Sequence, residues 1–207
     1  MFFDYRIIKK ENLITNEWSG GTTTQLSIFP ENANYTDRDF IWRLSSATVQ
    51  QENSEFTQLP DYNRILMVLD GKLELNHNDT EIIYLNALDQ NEFDGVSQTK
   101  SSGKAVDFNL MMRKDKCSGK LKAVSMGKCE NVKINEIIGF YSSSEFTLAV
   151  YIYKSDIKIT IDEDINASLN QGDLLLVNFK EQIANLEINM ENQCDEEAKV
   201  IIAQISY

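Results

Sequence analysis

Two β halves, each a barrel or sandwich, with helix confined to connections, are what this sequence predicts. Three observations carry that prediction. Short alternating or β-branched segments recur along the 207 residues at the spacing of a sandwich or barrel. Turn-forming Gly, Asn and Asp residues fall between them. No long stretch holds an apolar period of 3.6.

Residues 2–8 alternate apolar with charged side chains and read as a first strand, followed by a polar connection over 11–17. Residues 22–29 are β-branched and alternate, a strand that Pro30 stops, which makes Gly20-Gly21 a bend at its mouth. After a polar loop, residues 40–49 place Trp42, Leu44, Ser46 and Thr48 on one face and Arg43, Ser45, Ala47 and Val49 on the other. Residues 63–75 read as two apolar strands hinged on Asp70-Gly71, the strongest hairpin signal in the chain. A second hairpin tip is expected over 76–80, and Phe93-Asp94-Gly95 marks another turn. Residues 104–113 alternate, with Asp107, Asn109 and Met111 sharing a face.

The charged segment 114–119 divides the chain into halves, 1–114 and 115–207, expected to form one compact unit. Strands follow at 120–126, 133–138, 146–153, 157–161, 174–179, 185–188 and 199–206, with a tight turn at Gln171-Gly172-Asp173.

Composition excludes several functions. Acidic residues number 32 against 20 basic ones, a net charge of −12, so nucleic acid and anionic membranes would be repelled. No stretch approaches the roughly 18 apolar residues of a membrane span, and the N-terminus lacks the apolar run of a secretory signal. A soluble, cytoplasmic protein is expected. Its three cysteines, Cys117, Cys129 and Cys194, form no CxxC pair and read as reduced thiols.

The single histidine, His77, falls at the expected hairpin tip, where it would face solvent rather than serve a nucleophile. One imidazole cannot build a transition-metal site, and no D-x-D-x-D-G loop offers an oxygen-only one. Gly20-Gly21 is not followed by G-K-S/T, which argues against a nucleoside triphosphate. No metal and no cofactor are expected.

What remains is polar and cationic. Arg43 and Arg64 sit in otherwise apolar strands, where a guanidinium needs water or a carboxylate. Together with Asp107 and Asn109 they permit two readings. All four point to solvent from half-buried strands, or their face is the lumen of a barrel and the arginines bind the carboxylate of a small organic acid. In the second reading Thr22, Thr24 and Gln25 add neutral hydrogen bonds beside the bend at Gly21. Trp18 and Trp42 read as core or rim aromatics. Asp107, Glu55, Asp61 and Asp94 leave acid–base chemistry open.

Five blocks in order, Trp18-Ser-Gly-Gly-Thr-Thr-Thr-Gln25, Arg38-Asp-Phe-Ile-Trp-Arg-Leu-Ser-Ser-Ala47, Ser54-Glu-Phe-Thr57, Arg64-Ile-Leu-Met-Val-Leu-Asp-Gly71 and Asp107-Phe-Asn-Leu-Met-Met-Arg113, resemble the HutD/Ves family. The resemblance covers the N-terminal half closely and the C-terminal half in its strand pattern. It implies a cupin-type fold, a double barrel (bicupin-like) of antiparallel jelly-roll sheets in one chain. It also implies a part in histidine utilisation, through binding an intermediate such as urocanate or a formylated glutamate. The family's W-x-N-G-G-G-x-T element maps onto Trp18, Gly20, Gly21 and a threonine of the following run. Its turn is shortened here, which leaves open whether Thr22 or Thr24 faces the ligand.

The leading expectation is a metal-independent binding protein whose ligand meets Gly21, Thr22, Thr24, Gln25, Arg43, Arg64, Asp107 and Asn109, with Asp107 orienting an arginine. Its rivals are an isomerase or hydrolase using Asp107 as general base, and a packed barrel that binds another protein. A homodimer stays open.

Overall fold

The computed structural model of the protein describes residues 3–139, 145–162, 165–180 and 186–207. Phe2 and Asn185, at the starts of two expected strands, lie outside them. The fold is nearly all antiparallel β, in two compact units. One is Leu13–Ser118; the other is Gly119–Tyr207 together with the segment that ends at Asn12. The boundary expected after residue 114 thus falls after Ser118, and the first strand belongs with the C-terminal residues. That strand, β1 (Phe3–Ile8), pairs antiparallel with residues 174–179, from Phe3 opposite Phe179 to Ile8 opposite Leu174.

The Leu13–Ser118 unit holds β2 (Ile14–Trp18), β3 (Gly21–Phe29), β4 (Trp42–Val49), β5 (Asn53–Glu55), β6 (Tyr62–His77), β7 (Glu81–Asn86), β8 (Gln90–Asp94), β9 (Thr99–Ser102) and β10 (Ala105–Arg113). Their order is β2-β3-β4-β10-β6-β9-β5, and β7 and β8 also pair with β6. The hub is β6. It runs without interruption through Asp70-Gly71, where a hairpin was expected. Gly71 has φ +80°, and a Cβ there would lie 2.3 Å from the Lys104 carbonyl oxygen. The Asp-Gly step therefore serves a bulge, at which the register against β10 shifts between Val106 and Asp107.

The bulge lets one strand serve two sets of neighbours. Residues 63–67 pair with β8, and 72–77 pair with β7. It also moves the inward set from Leu66 and Val68 to Leu73 and Leu75, all packed in one apolar cluster with Leu85, Phe93 and Ala105. A similar shift on β3, between Gln25 and Ser27, exchanges the inward face from odd residues to Ile28.

His77 continues the inward series after Leu75, so it is buried rather than solvent-facing. Its Nδ1 lies 2.8 Å from Thr99 Oγ1, its Nε2 3.0 Å from Asn91 Oδ1, and its ring 4.8 Å from that of Phe93. The turn begins one residue later, at Asn78 and Asp79, both with positive φ.

In the other unit, β11 (Ser118–Met126), β12 (Asn131–Lys133), α1 (Ile134–Ile137), β13 (Phe146–Lys154), β14 (Ile157–Ile161), β15 (Ile165–Leu169), β16 (Leu174–Phe179), β17 (Ile188–Asn192) and β18 (Ala198–Ser206) form two sheets with β1. Their orders are β1-β16-β13-β18-β11 and β12-β17-β14-β15. Between the sheets lies an apolar core, with Leu148, Val150, Val177 and Ile202 from one and Ile159, Ile188 and Met190 from the other. Residues 133–138, expected as a strand, instead close into the single turn α1. There Asn135 donates to the Leu186 carbonyl and accepts from the Ile188 amide, which replaces a ladder with side-chain bonds. Among the described residues no helix is long and apolar enough to cross a membrane.

Candidate functional site

A cavity of about 760 Å³ opens inside the Leu13–Ser118 unit, a volume suited to a small organic ligand. Strand alternation supplies its floor. Arg43, Ser45 and Ala47 come from one face of β4, Asp107, Asn109 and Met111 from one face of β10, Thr23 and Gln25 from β3, and Arg64 from β6. The outward reading of these residues is excluded by their burial: Arg43 is 5% exposed, Arg64 3%, Asp107 1% and Asn109 4%.

Gln25, Arg43, Arg64, Asp107 and Asn109 therefore meet as the lumen reading expected, whereas Gly21, Thr22 and Thr24 do not line the cavity. Period-2 alternation explains the difference, because Gln25 shares its face with Thr23. The Thr24 hydroxyl lies instead 2.8 Å from that of Thr15 on β2. Gly20 and Gly21 are needed for close packing: a Cβ on Gly20 would lie 2.0 Å from the Trp18 ring, and one on Gly21 1.9 Å from the Thr48 carbonyl oxygen. Trp18 borders the cavity, while Trp42 is core.

Each guanidinium is held by neutral or aromatic groups. Arg43 Nε donates to Gln25 Oε1 at 2.9 Å and Nη1 to Ser45 Oγ at 3.1 Å, with the Tyr35 ring 4.4 Å from its guanidinium carbon. Arg64 lies 5.0 Å from the ring of Phe56 and 5.1 Å from that of Phe93, and Nη1 donates to the Thr57 carbonyl at 3.4 Å. Among the described residues neither arginine has a carboxylate within ion-pair distance, and Arg64 Nε has no hydrogen-bond partner. Burial pulls Arg43 below its ordinary basicity, opposed by Tyr35. Burial lowers Arg64 to about 10, with Tyr35 and Asp107 opposing and Arg43 adding to the fall.

Asp107 was expected to orient an arginine. It interacts with Arg64 through space without a hydrogen bond, and its Oδ2 has no partner. Burial raises its carboxyl to about 7, with Arg64 and the Ala47 backbone amide opposing. The other carboxylates considered do not join it: Glu55 is exposed at the cavity margin, and Asp61 and Asp94 lie outside the lining.

Several lining residues carried no expectation of a site. Thr23 was available from strict alternation with Gln25. Tyr35 was not, because it comes from the irregular segment between β3 and β4, where Asn34 Oδ1 accepts from the Thr36 amide and no period marks an inward residue.

Curled antiparallel sheets, one of them lining a polar, cationic cavity, give a fold of the cupin or jelly-roll class. Within it the chain belongs to the HutD family, whose model matches residues 10–196. No curated protein shows a significant sequence match. Among solved structures, a conserved protein of unknown function from Pseudomonas aeruginosa superposes with a TM-score of 0.77 at 22% identity, covering 99% of this chain and 100% of that one. HutD from Pseudomonas fluorescens gives 0.71 at 20% identity, covering 98% of each chain. The Escherichia coli pirin YhhW, solved in complex with nickel(II), gives 0.66 at 10% identity over 97% of this chain and 98% of that one.

A metal of that kind does not fit this cavity. Its buried donors are two guanidiniums, amides, hydroxyls and a single carboxylate, and His77 is not among its lining residues. Among the described residues no three His, Cys, Asp or Glu side chains are grouped to hold an ion.

Proposed function

We propose that the protein binds a small carboxylate-bearing metabolite in the lumen of its Leu13–Ser118 unit, without a metal, and through that binding tunes histidine utilisation or a related pathway in the cytoplasm. One observation carries the reading. Two buried guanidiniums line one cavity that, among the described residues, has a single buried carboxylate, Asp107, which leaves an excess of positive charge that an anion would neutralise. Arg43, fixed by Gln25 and Ser45, supplies oriented donors, and Arg64 supplies an unanswered one. Family membership supports urocanate and N-formylglutamate as first candidates.

Calorimetric titration of both compounds into the wild type and Arg64→Ala tests it. Charge-assisted hydrogen bonds contribute about 1.5–3 kcal/mol, so the variant is expected to bind about 10- to 100-fold more weakly. Absence of binding by the wild type, or undiminished binding by the variant, overturns the reading.

Asp107 favours a second reading, an isomerase or hydrolase in which it acts as general base. Its carboxyl is buried, has a free oxygen and ionises at about 7, the range suited to proton transfer at neutral pH. Substrate hydrogen exchange and product formation in deuterium oxide, both followed by NMR, decide between the two. Exchange or hydrolysis that Asp107→Asn abolishes supports catalysis; neither exchange nor hydrolysis leaves binding alone.

A further inference from the structure

The polar atoms left unanswered in the cavity are of both kinds. On the donor side are Arg64 Nε and Trp18 Nε1; on the acceptor side are Asp107 Oδ2 and Asn109 Oδ1. The two acceptors are the informative pair. They come from residues two apart on the same face of β10, each more than nine-tenths buried, and among the described residues no donor reaches either oxygen. A simple carboxylate would satisfy the guanidiniums and leave both acceptors desolvated without a partner, an arrangement that buried polar groups avoid.

We propose that Asp107 and Asn109 form a subsite for a nitrogen-bound hydrogen. The ligand is then a carboxylic acid that also carries an amide or azole N–H, its carboxylate at Arg43 and Arg64 and its N–H on Asp107 Oδ2. This rests on the carboxylate reading given above and narrows it. Arginines select for charge, whereas the β10 pair selects among acids of like charge. Charge-assisted hydrogen bonds from a neutral N–H to an ionised acceptor discriminate strongly when the alternative leaves that acceptor buried and bare. The placement also changes the part given to Asp107, from holding an arginine to meeting the ligand.

The test uses pairs of acids in which oxygen replaces only that N–H: urocanate against its oxazole analogue, which keeps the second ring nitrogen, and N-formylglutamate against the formate ester of the corresponding hydroxy acid. Affinities are measured calorimetrically at pH 8 for the wild type, Asp107→Leu and Asp107→Asn. In the wild type the N–H member of a pair is expected to bind about 10- to 100-fold more tightly. In Asp107→Leu that ratio falls towards one while the analogue binds at least as tightly as to the wild type, because a like charge is gone; Asp107→Asn, which preserves the side-chain shape, reduces the ratio if the leucine variant does not fold. Equal affinities within both pairs, each still lost in Arg64→Ala, overturn the subsite and leave the carboxylate reading standing. A ratio unchanged by either Asp107 variant also overturns it. Failure of all four acids to bind the wild type overturns both.

Discussion

Replacing Arg64 with methionine should make the ligand-free protein more stable while weakening its affinity for carboxylates. The guanidinium is buried and its ionisation is pulled down to about 10. At about 1.4 kcal/mol per tenfold change in acidity, a depression of that size means the charge works against folding by about 3 kcal/mol. A lowered pKa on a base gives this destabilisation in full below about pH 10, and it fades only as pH rises through that value towards the unfolded one. Neutral pH therefore carries all of it.

Against this stand the stacking contacts with Phe56 and Phe93, which contribute on the order of 0.5–2 kcal/mol. Methionine keeps most of the apolar volume. The expected net gain is about 1–2 kcal/mol, which for a chain of this size raises the melting temperature by about 2–8 °C. Thermal melts at pH 7 with and without saturating urocanate give both halves of the result. The variant should melt higher than the wild type without ligand and show a smaller ligand-induced increase, whereas ligand should raise the wild type by mass action. A variant that melts several degrees lower would refute the reasoning, because the guanidinium would then be part of the scaffold rather than a charge held for an anion.

Three further outcomes are expected. Asp107 has its folded ionisation raised from 3.8 to about 7, so between those values the folded state holds the proton longer and stability falls as pH rises. Asp107→Asn should match the wild type near pH 4 and exceed it by up to about 4 kcal/mol at pH 8, measured as the difference between their urea-unfolding curves. Gly71→Ala combines a positive φ with a Cβ clash at Lys104 and should lose about 1–3 kcal/mol in the same assay. Thr23→Val should weaken carboxylate binding measurably, while Thr24→Val changes it less than twofold, since only the former lines the cavity.

Strict alternation made much of the site legible. Arg43 with Ser45 and Ala47, and Asp107 with Asn109 and Met111, fall on the faces their period assigns, and those are the faces that line the cavity. Thr22 and Thr24 were grouped with Gln25 against that same period, and Thr23 is the residue in place. What alternation cannot show is where it slips. The extra residues on β3 and β6 reverse the inward set without any change in composition, and an Asp-Gly pair serves a bulge as well as a hairpin. His77 was placed in a turn because its neighbours are polar, yet one more residue of strand buries it. Tyr35 depends on the path of an irregular segment, and the partner of β1 lies about 170 positions away, where no local signal reaches.

That pairing of β1 has a consequence for how the chain is made. A ribosome delivers β1 first, but β16, which it joins residue for residue from Phe3–Phe179 to Ile8–Leu174, emerges only after the whole Leu13–Ser118 unit. At about 5–20 residues per second the wait is on the order of ten to thirty seconds. Through that interval β1 is without its β16 partner, while the Leu13–Ser118 unit is contiguous in sequence and needs no strand from outside it. The sheet of the Gly119–Tyr207 unit is complete only when it gains a strand synthesised ahead of the Leu13–Ser118 unit.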